Sequence, residues 1–435
     1  MLAISMKILV IGSGGREHAL VWKLRQSPSV SEIWCAPGNG GISQQAECIP
    51  ANLADIRALG DLAQKLGADL TVVGPEQPLV DGIAEEFDRR KLKIIAPSKE
   101  CAQLEGSKIF AKEFLNRHAI PTAATYGVFA SVPDALKKLE SFQYPLVLKA
   151  DGLCGGKGVL VAKSFGEAAE FADRVLGKRE FGEGGASLLI EEALGGKELS
   201  FIVLSDGRDF VPLVPTRDHK RAFDADRGPN TGGMGAYSCD GVVLPAMEAE
   251  IRRQIVEPTF TALEREGCAY RGFLYFGLML TSNGPKVLEF NCRLGDPETQ
   301  AIVARMDFDL AVVLAATAEG KLARRALKWR PGASVCVVMA SGGYPGNYAT
   351  GKEIHGLERA SAMPGVAVLH AGTKREGEHY YTSSGRVLGV TAVGDTLDEA
   401  RRTAYDAVGR IQFSDCHYRR DIAPGAPLVA NAGEA

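Results

Sequence analysis

The sequence predicts a multidomain protein of α/β and α+β class: a doubly wound parallel sheet first, a mixed α+β centre, and a small α+β unit last. Three observations predict it. At 435 residues the chain is too long for one ordinary core, and about two to four domains follow. Over about the first 100 residues short apolar strands alternate with helical patterns, the order of a parallel sheet. Beyond them the pattern changes twice, near Tyr126 and after Pro331.

Residues 7–11 read as a buried strand, followed by the turn Gly12-Ser13-Gly14-Gly15 and a helix over 16–26. Strands are expected at 32–36, 70–73 and 93–96, with helices over 55–66 and 82–91 between them. Ligands of such sheets sit beyond the carboxyl ends of the strands, which here are the turns 12–15, 37–41 and 74–78. An amphipathic helix over 107–118 ends before Pro121. From 126 to about 198 comes a small α+β unit with strands 146–149, 159–162 and 188–191 and a helix over 165–176. A larger mixed region to about 329 includes strands 201–204, 276–281 and 286–290. The last unit has strands 335–340, 366–371 and 387–393 and a helix over 397–411. Residues 1–5, before Met6, read as an extension or alternative start, and 431–435 as a frayed end.

Apolar content of 46% and charged content of 24% describe a soluble globular protein. A net charge of −3 gives no support to nucleic-acid or membrane partners, although a locally basic cleft stays open. Nine cysteines without a C-x-x-C pair fit reduced thiols in the cytoplasm better than a disulfide framework. No long apolar stretch precedes Lys7, so no signal peptide is expected. The longest apolar run, 310–316, is far short of the roughly 20 residues of a membrane span.

The first glycine turn follows a strand and opens a helix, as a dinucleotide fingerprint does. That fingerprint needs a third glycine at position 17 and an acidic residue closing the second strand; this chain has Glu17 and Ala36-Pro37-Gly38. An NAD site is disfavoured, and the turn's N–H groups suit a monophosphate instead. A second glycine loop runs from Lys149 through Asp151, Gly152, Cys154, Gly155, Gly156, Lys157 and Gly158 to Val159. Its N–H groups can close over phosphates, with Lys149 beside them, although it lacks Walker A spacing. An ordinary glycine-rich hairpin with a surface lysine fits the same residues. The run from Glu191 through Leu194 to Glu198 matches an adenine hinge with a carboxylate for the ribose; a solvated acidic turn is the alternative.

The polar connection from Asp218 to Tyr237 carries His219, Lys220 and Arg221, cationic donors for a transferring phosphoryl group or, alternatively, a solvated basic turn. Finally, an apolar strand ends in Glu289, Asn291 and Arg293. Strand side chains alternate, so these three share one face while Leu288, Phe290 and Cys292 take the other. A carboxylate and an amide oxygen on one rigid element suit Mg²⁺, and Arg293 suits an anionic substrate. A polar strand face with a surface turn at Asp296-Pro297 fits that window equally.

In this order the motifs resemble the ATP-grasp ligases, and within them the glycinamide ribonucleotide synthetase family. The resemblance runs from Met6 to about Ile422 and takes in residues 12–19, 36–39, 74–80, Ser107-Lys108, 149–153, 218–221, 230–237, 289–293, 343–346, 370–373 and 418–422. It implies an N-terminal domain over 1–107, a central ATP-grasp domain over 108–126 and 198–329, a mobile lid over 127–197, and a C-terminal domain over 330–435. It implies ATP between lid and centre, with Lys108 and Lys149 on the phosphates and 151–158 as the closing flap. Glu191 and Leu194 would read the adenine, Glu198 the ribose, and Glu289 with Asn291 would hold Mg²⁺ or Mn²⁺. Arg293, Asp218, Lys220 and Arg221 would serve the transferring group, and Gly14, Gly15, Asn39, Glu76 and Asp296 the second substrate.

The implied reaction is ligation of glycine to 5-phosphoribosylamine through a glycyl phosphate, by a cytoplasmic monomer or weak homodimer of purine biosynthesis. Another ATP-grasp carboxylate–amine ligase is the second reading. Glu17 argues against an oxidoreductase, and intact Lys149, Glu289 and Asn291 argue against a non-catalytic sensor. Cys154, Phe223, Cys239 and Ser384 depart from the family pattern. Beside bound cations the Cys154 thiol is expected to lean toward thiolate.

Overall fold

A computed structural model describes residues 5–322 and 327–425; the expectations for 1–4 and 431–435 lie outside them. The N-terminal domain is a five-stranded parallel sheet in the order Glu47–Cys48, Val30–Pro37, Met6–Gly12, Leu70–Val73, Ile94–Ile95. Met6–Gly12 is central and covered on both faces. Ile8 and Val10 enter one apolar cluster, Leu9 and Ile11 another, which is why the run reads as continuously apolar. The Gly15–Leu24 helix starts at the carboxyl end of this strand, where the strand order reverses.

The central sheet is antiparallel: Phe210–Pro212, Lys197–Asp206, Arg271–Thr281, Gly284–Asn291. The lid is a second four-stranded sheet, Thr125–Phe129, Leu188–Glu192, Leu146–Ala150, Val159–Ala162, with its own core around Ala135, Leu148, Phe171 and Ile190. Its second helix is α only over Phe165–Ala172 and finishes as a wider π turn, Asp173–Gly177.

The C-terminal sheet holds Val366–His370, Arg386–Gly394, Ala333–Ser341 and Cys416–His417, and two strands from far upstream, Arg217–Asp218 and Gly235–Cys239. The long polar connection over 218–237 is therefore structured at both ends, with a hairpin Arg221–Phe223/Arg227–Asn230 between them.

Two sequence expectations are corrected. Cys101 and Cys268 are joined as a disulfide with Cα atoms 6.1 Å apart, so the cysteines are not all free. The face alternation along the site strand also fails at one residue. Gly277 pairs with Glu289 but the next pair is Leu278 with Val287, leaving Leu288 as an extra residue. This bulge resets the alternation: Val287 joins Phe290 and Cys292 in the core, and Leu288 is only half-buried. Among the described residues no helix is long and apolar enough to cross a membrane.

Candidate active site

Register places five polar side chains on one face of the central sheet. Ser200, Gly277 and Glu289 form one row across three strands; Ile202, Tyr275 and Asn291 form the row two residues along, and Glu198 lies two residues beyond Ser200 on the other side. Farther on the face becomes apolar and enters the core through Ile202, Leu204 and Phe273. Tyr275 Oη and Ser200 Oγ lie 2.8 Å apart, and Ser200 Oγ donates to Glu298 at 3.2 Å. Gly277 leaves room for Glu289: a Cβ there would meet Glu289 Cγ at 3.0 Å.

Lys220 Nζ stands 3.1 Å from Glu198 and 3.8 Å from Glu289. Burial would raise the Glu289 carboxyl, but Lys220, Lys108 and Lys149 outweigh it and hold it below the usual range. Burial, reinforced by Glu298, Glu198 and Glu289 against Lys220, pushes Asp218 up to about 7. Burial opposes the Lys220 charge, yet Asp218, Glu198 and Glu289 lift its amine well above the ordinary range. Among the described residues neither Glu289 nor Asn291 has a side-chain hydrogen bond to protein, and no cluster of three His, Cys, Asp or Glu is placed to hold a metal alone. Two open hard oxygens amid lysines fit Mg²⁺ or Mn²⁺ sharing its shell with phosphates.

Opposite this face stands the flap. Ser107 caps the Lys108–Arg117 helix by accepting from Phe110 N, and its hydroxyl donates to Asp151 at 2.9 Å. Asp151 also accepts from Ile109 N, and Lys108 Nζ donates to the Gly152 carbonyl at 3.0 Å. The flap root is thus fastened to a helix N-terminus. Gly152, Gly155 and Gly156 have φ of 87°, 56° and 77°, the left-handed region that only glycine enters freely. Lys157 is exposed, and a Cβ at Gly158 would run into Cys154. Burial raises the Cys154 thiol, although Lys108 pulls it down.

Lys149 Nζ sits 2.7 Å from Glu191 Oε2 and donates to the Leu288 carbonyl at 2.8 Å. Glu191 Oε1 is 2.7 Å from Lys112 Nζ, a residue the sequence reading missed. The available signal was its spacing, one helical turn beyond Lys108 on the same face. Leu194 lies half-buried in the turn that links the Leu188–Glu192 strand to the Glu198 strand.

Of the four residues 218–221, Asp218 and Lys220 face Glu289. His219 accepts from Ala423 N at 3.3 Å, and burial lowers its imidazole to about 4, so it is neutral and no cationic donor. Arg221 donates to the Gly228 carbonyl at 2.8 Å, across its own hairpin. Arg293 pairs with Glu105 at 2.9 Å and Glu76 at 3.4 Å. Burial opposes its charge, but these two carboxylates raise its guanidinium well above the usual range. Glu105, also missed, accepts from Cys292 N at 2.7 Å and so fixes the end of the site strand.

The N-terminal turns join this cluster through carboxylates. Glu17 accepts from Gly14 N at 2.5 Å and from Arg16 Nε at 2.6 Å, filling the position where a dinucleotide fold has glycine. Asp296 accepts from Arg16 N at 3.3 Å and Gln300 Nε2 at 2.9 Å, and lies 3.4 Å from Arg386. Two N–H groups expected to face a phosphate therefore already have anionic partners. Gly15 is close-packed, since a Cβ there would lie 2.6 Å from Gln300 Nε2. Asn39 donates to the Ser13 and His370 carbonyls and accepts from Gly41 N and Ile42 N, so its amide is fully engaged in holding loops together.

Three family models match consecutive parts of the chain: phosphoribosylglycinamide synthetase N domain over 6–105, ATP-grasp (A) domain over 106–299, and C domain over 334–425. The chain is 47% identical to a phosphoribosylamine–glycine ligase of Caldanaerobacter subterraneus, over 97% of this chain and all of that protein. It is 49% identical to the enzyme of that name from Escherichia coli K12, over 96% and 98%. A crystal structure of phosphoribosylamine–glycine ligase from Thermotoga maritima superposes with a TM-score of 0.83 at 35% identity, covering 95% of this chain and 99% of that one. A biotin carboxylase domain from Hydrogenobacter thermophilus, solved with MgADP, shares the fold at a TM-score of 0.72 and 18% identity, over 95% of this chain and 92% of that one.

Proposed function

The chain belongs to the phosphoribosylglycinamide synthetase family, and from that premise we propose that it joins glycine to 5-phosphoribosylamine with ATP, giving glycinamide ribonucleotide, ADP and phosphate in purine biosynthesis. The observation that carries this reading is the open Glu289–Asn291 pair facing a glycine flap and a lysine cluster across one cleft.

In this reading Lys108 and Lys149 neutralise ATP phosphates, and the flap from Asp151 to Gly158 closes over them. Backbone groups between Glu191 and Leu194 take the adenine edge and Glu198 the ribose. Glu289 and Asn291 hold the divalent metal, Mg²⁺ or Mn²⁺, which when bound offsets charge on the phosphate oxygens. A carboxylate is a poor acyl donor because its leaving group would be oxide. Transfer of the γ-phosphoryl group to a glycine carboxylate oxygen releases ADP and makes a glycyl phosphate. The amine of phosphoribosylamine attacks its carbonyl carbon, the C–O bond to phosphate breaks, and the amine loses a proton. Positioning and charge neutralisation supply most of the catalysis. Lys220 is the best-placed side chain for the transferring group, being a cation beside Glu289. Asp218 lies next to it, and the fork of Arg293 is already held by Glu76 and Glu105. Gly14, Gly15 and Asp296 border the phosphoribosylamine side, with Asn39 and Glu76 shaping it from behind. Lid closure keeps water from the acyl phosphate. We take the enzyme as a cytoplasmic monomer or weak dimer, which sedimentation tests.

A coupled ADP-release assay checks the reaction. Turnover must require glycine and phosphoribosylamine together, and turnover without either sinks the proposal.

A further inference from the structure

At the joint between lid and central sheet lies a buried charge triad. Lys112 is 4% exposed, Glu191 1% and Lys149 7%. Lys112 Nζ contacts Glu191 Oε1 at 2.7 Å and donates to Thr122 Oγ1 at 2.7 Å and the Ala123 carbonyl at 3.0 Å. Thr122 Oγ1 donates to the Val287 carbonyl at 2.8 Å, so this anchor belongs to the central sheet beside the bulge. Lys149 Nζ contacts Glu191 Oε2 at 2.7 Å and the Leu288 carbonyl at 2.8 Å.

An ammonium has three N–H donors. Lys112 hydrogen-bonds Thr122 and Ala123 and pairs as an ion with Glu191 Oε1, so its ammonium is turned wholly to protein. Lys149 commits two, which leaves one. Two cations and one anion give the triad one excess positive charge, which the Glu289 and Glu192 carboxylates offset only from outside it. A phosphate oxygen on the free Lys149 donor supplies the missing anion.

We propose that Lys112 is a positioning residue for nucleotide binding: it holds one oxygen of Glu191, so that the other holds Lys149 between lid and Leu288 with a single donor turned to the phosphates. This rests on the reading of Lys149 as a phosphate contact. Without Lys112, both Glu191 oxygens are free to converge on Lys149. The pair is then neutral and the third donor is lost to the nucleotide.

Titration calorimetry of the full chain with MgADP tests this, alongside KM for ATP and for glycine. Lys112→Met is expected to weaken MgADP and raise KM for ATP by about tenfold, with KM for glycine and kcat little changed. In a Glu191→Gln background the same substitution should change MgADP affinity less than about twofold, because the effect passes through Glu191. Unchanged affinity in Lys112→Met, or an equal loss in both backgrounds, overturns the proposal. Lys112→Gln, which keeps a donor for the Ala123 carbonyl, reads out the same way where Lys112→Met does not fold. Lys149→Met tests the premise separately: undiminished MgADP binding there removes the phosphate contact itself, whereas a silent Lys112 variant removes only its positioning role.

Discussion

Tyr275 lies directly opposite Asn291 on paired antiparallel strands, and its hydroxyl sits 2.8 Å from Ser200 Oγ on the same sheet face. The face thus has two halves. Ser200, Tyr275 and Glu298 are bonded to one another, while Glu289 and Asn291 present free oxygens. A locked half beside an open half suits the metal pair proposed for Glu289 and Asn291, because rigid neighbours position side chains that have no protein hydrogen bond of their own.

Glu289→Gln keeps the shape and removes the charge. Turnover is expected to fall by roughly a thousandfold, about 4 kcal/mol of transition-state stabilisation. The melting temperature should fall modestly, because Glu289 has no hydrogen bond to lose but its carboxylate is held by Lys220, Lys108 and Lys149. Near-normal ADP release from the variant would remove Glu289 from the metal site.

Gly277→Ala is the smallest change that touches the Glu289–Asn291 pair, the proposed metal ligands, indirectly. The new Cβ meets Glu289 Cγ at 3.0 Å and Tyr275 Cε1 at 3.5 Å, so the carboxylate has to shift. The Mg²⁺ concentration for half-maximal activity should rise roughly tenfold, about 1.4 kcal/mol. A metal titration indistinguishable from the parent's would mean that Glu289 moves aside without consequence.

Arg386 ties three segments together. It donates to the Gly232 carbonyl at 2.7 Å and the Asp296 carbonyl at 2.6 Å, and pairs with the Asp296 carboxylate at 3.4 Å. Arg386→Gln leaves Asp296 without its cation; because the arginine side chain is partly open to water, a fall in melting temperature of roughly 4–8 °C is expected rather than collapse. Lysine should rescue in part, because every one of these contacts comes from one nitrogen, Nη1, and an ammonium has three donors. Thermal melts of both variants decide the matter.

Acid should weaken the junction between N- and C-terminal domains. His18 Nδ1 accepts from His370 N at 2.7 Å, and burial lowers the two imidazoles to about 3 and about 4 from 6.5. Both are neutral when folded and take up protons on unfolding, so their contribution is full above about pH 6.5 and is lost as pH falls through the folded values. At pH 5 each costs about 2 kcal/mol, from about 1.4 kcal/mol per pH unit below 6.5. His18→Gln should flatten the dependence of melting temperature on pH between 6.5 and 5, and an unchanged slope would exclude this origin.

Residues whose neighbours in sequence decide their state were legible. The Leu70–Val73 and Val159–Ala162 strands match their expected bounds because each is a short β-branched run between turns. The glycine loop over 152–158 was legible as an irregular turn because positive φ needs glycine at 152, 155 and 156. What escaped depends on partners far away. Gly235–Cys239 is a strand because Ala333–Ser341 lies beside it, and Leu288 is extra only against Arg271–Thr281. His219 and Lys220 are adjacent and looked alike, yet one is walled into the C-terminal domain and the other faces carboxylates. Lys112 and Glu105 stand out only once their burial is known.

The strand pairing between Gly235–Cys239 and Ala333–Ser341 also sets a clock on biogenesis. As the ribosome works from the N-terminus, Gly235–Cys239 emerges long before the strand that completes it. At ordinary elongation speeds the wait is roughly 5–20 s. For that interval Asp218 and Lys220, whose segment docks on the same sheet edge, have no fixed address. The nascent chain can fold its first sheet and its lid early, but catalytic competence arrives late, with nearly the last hundred residues.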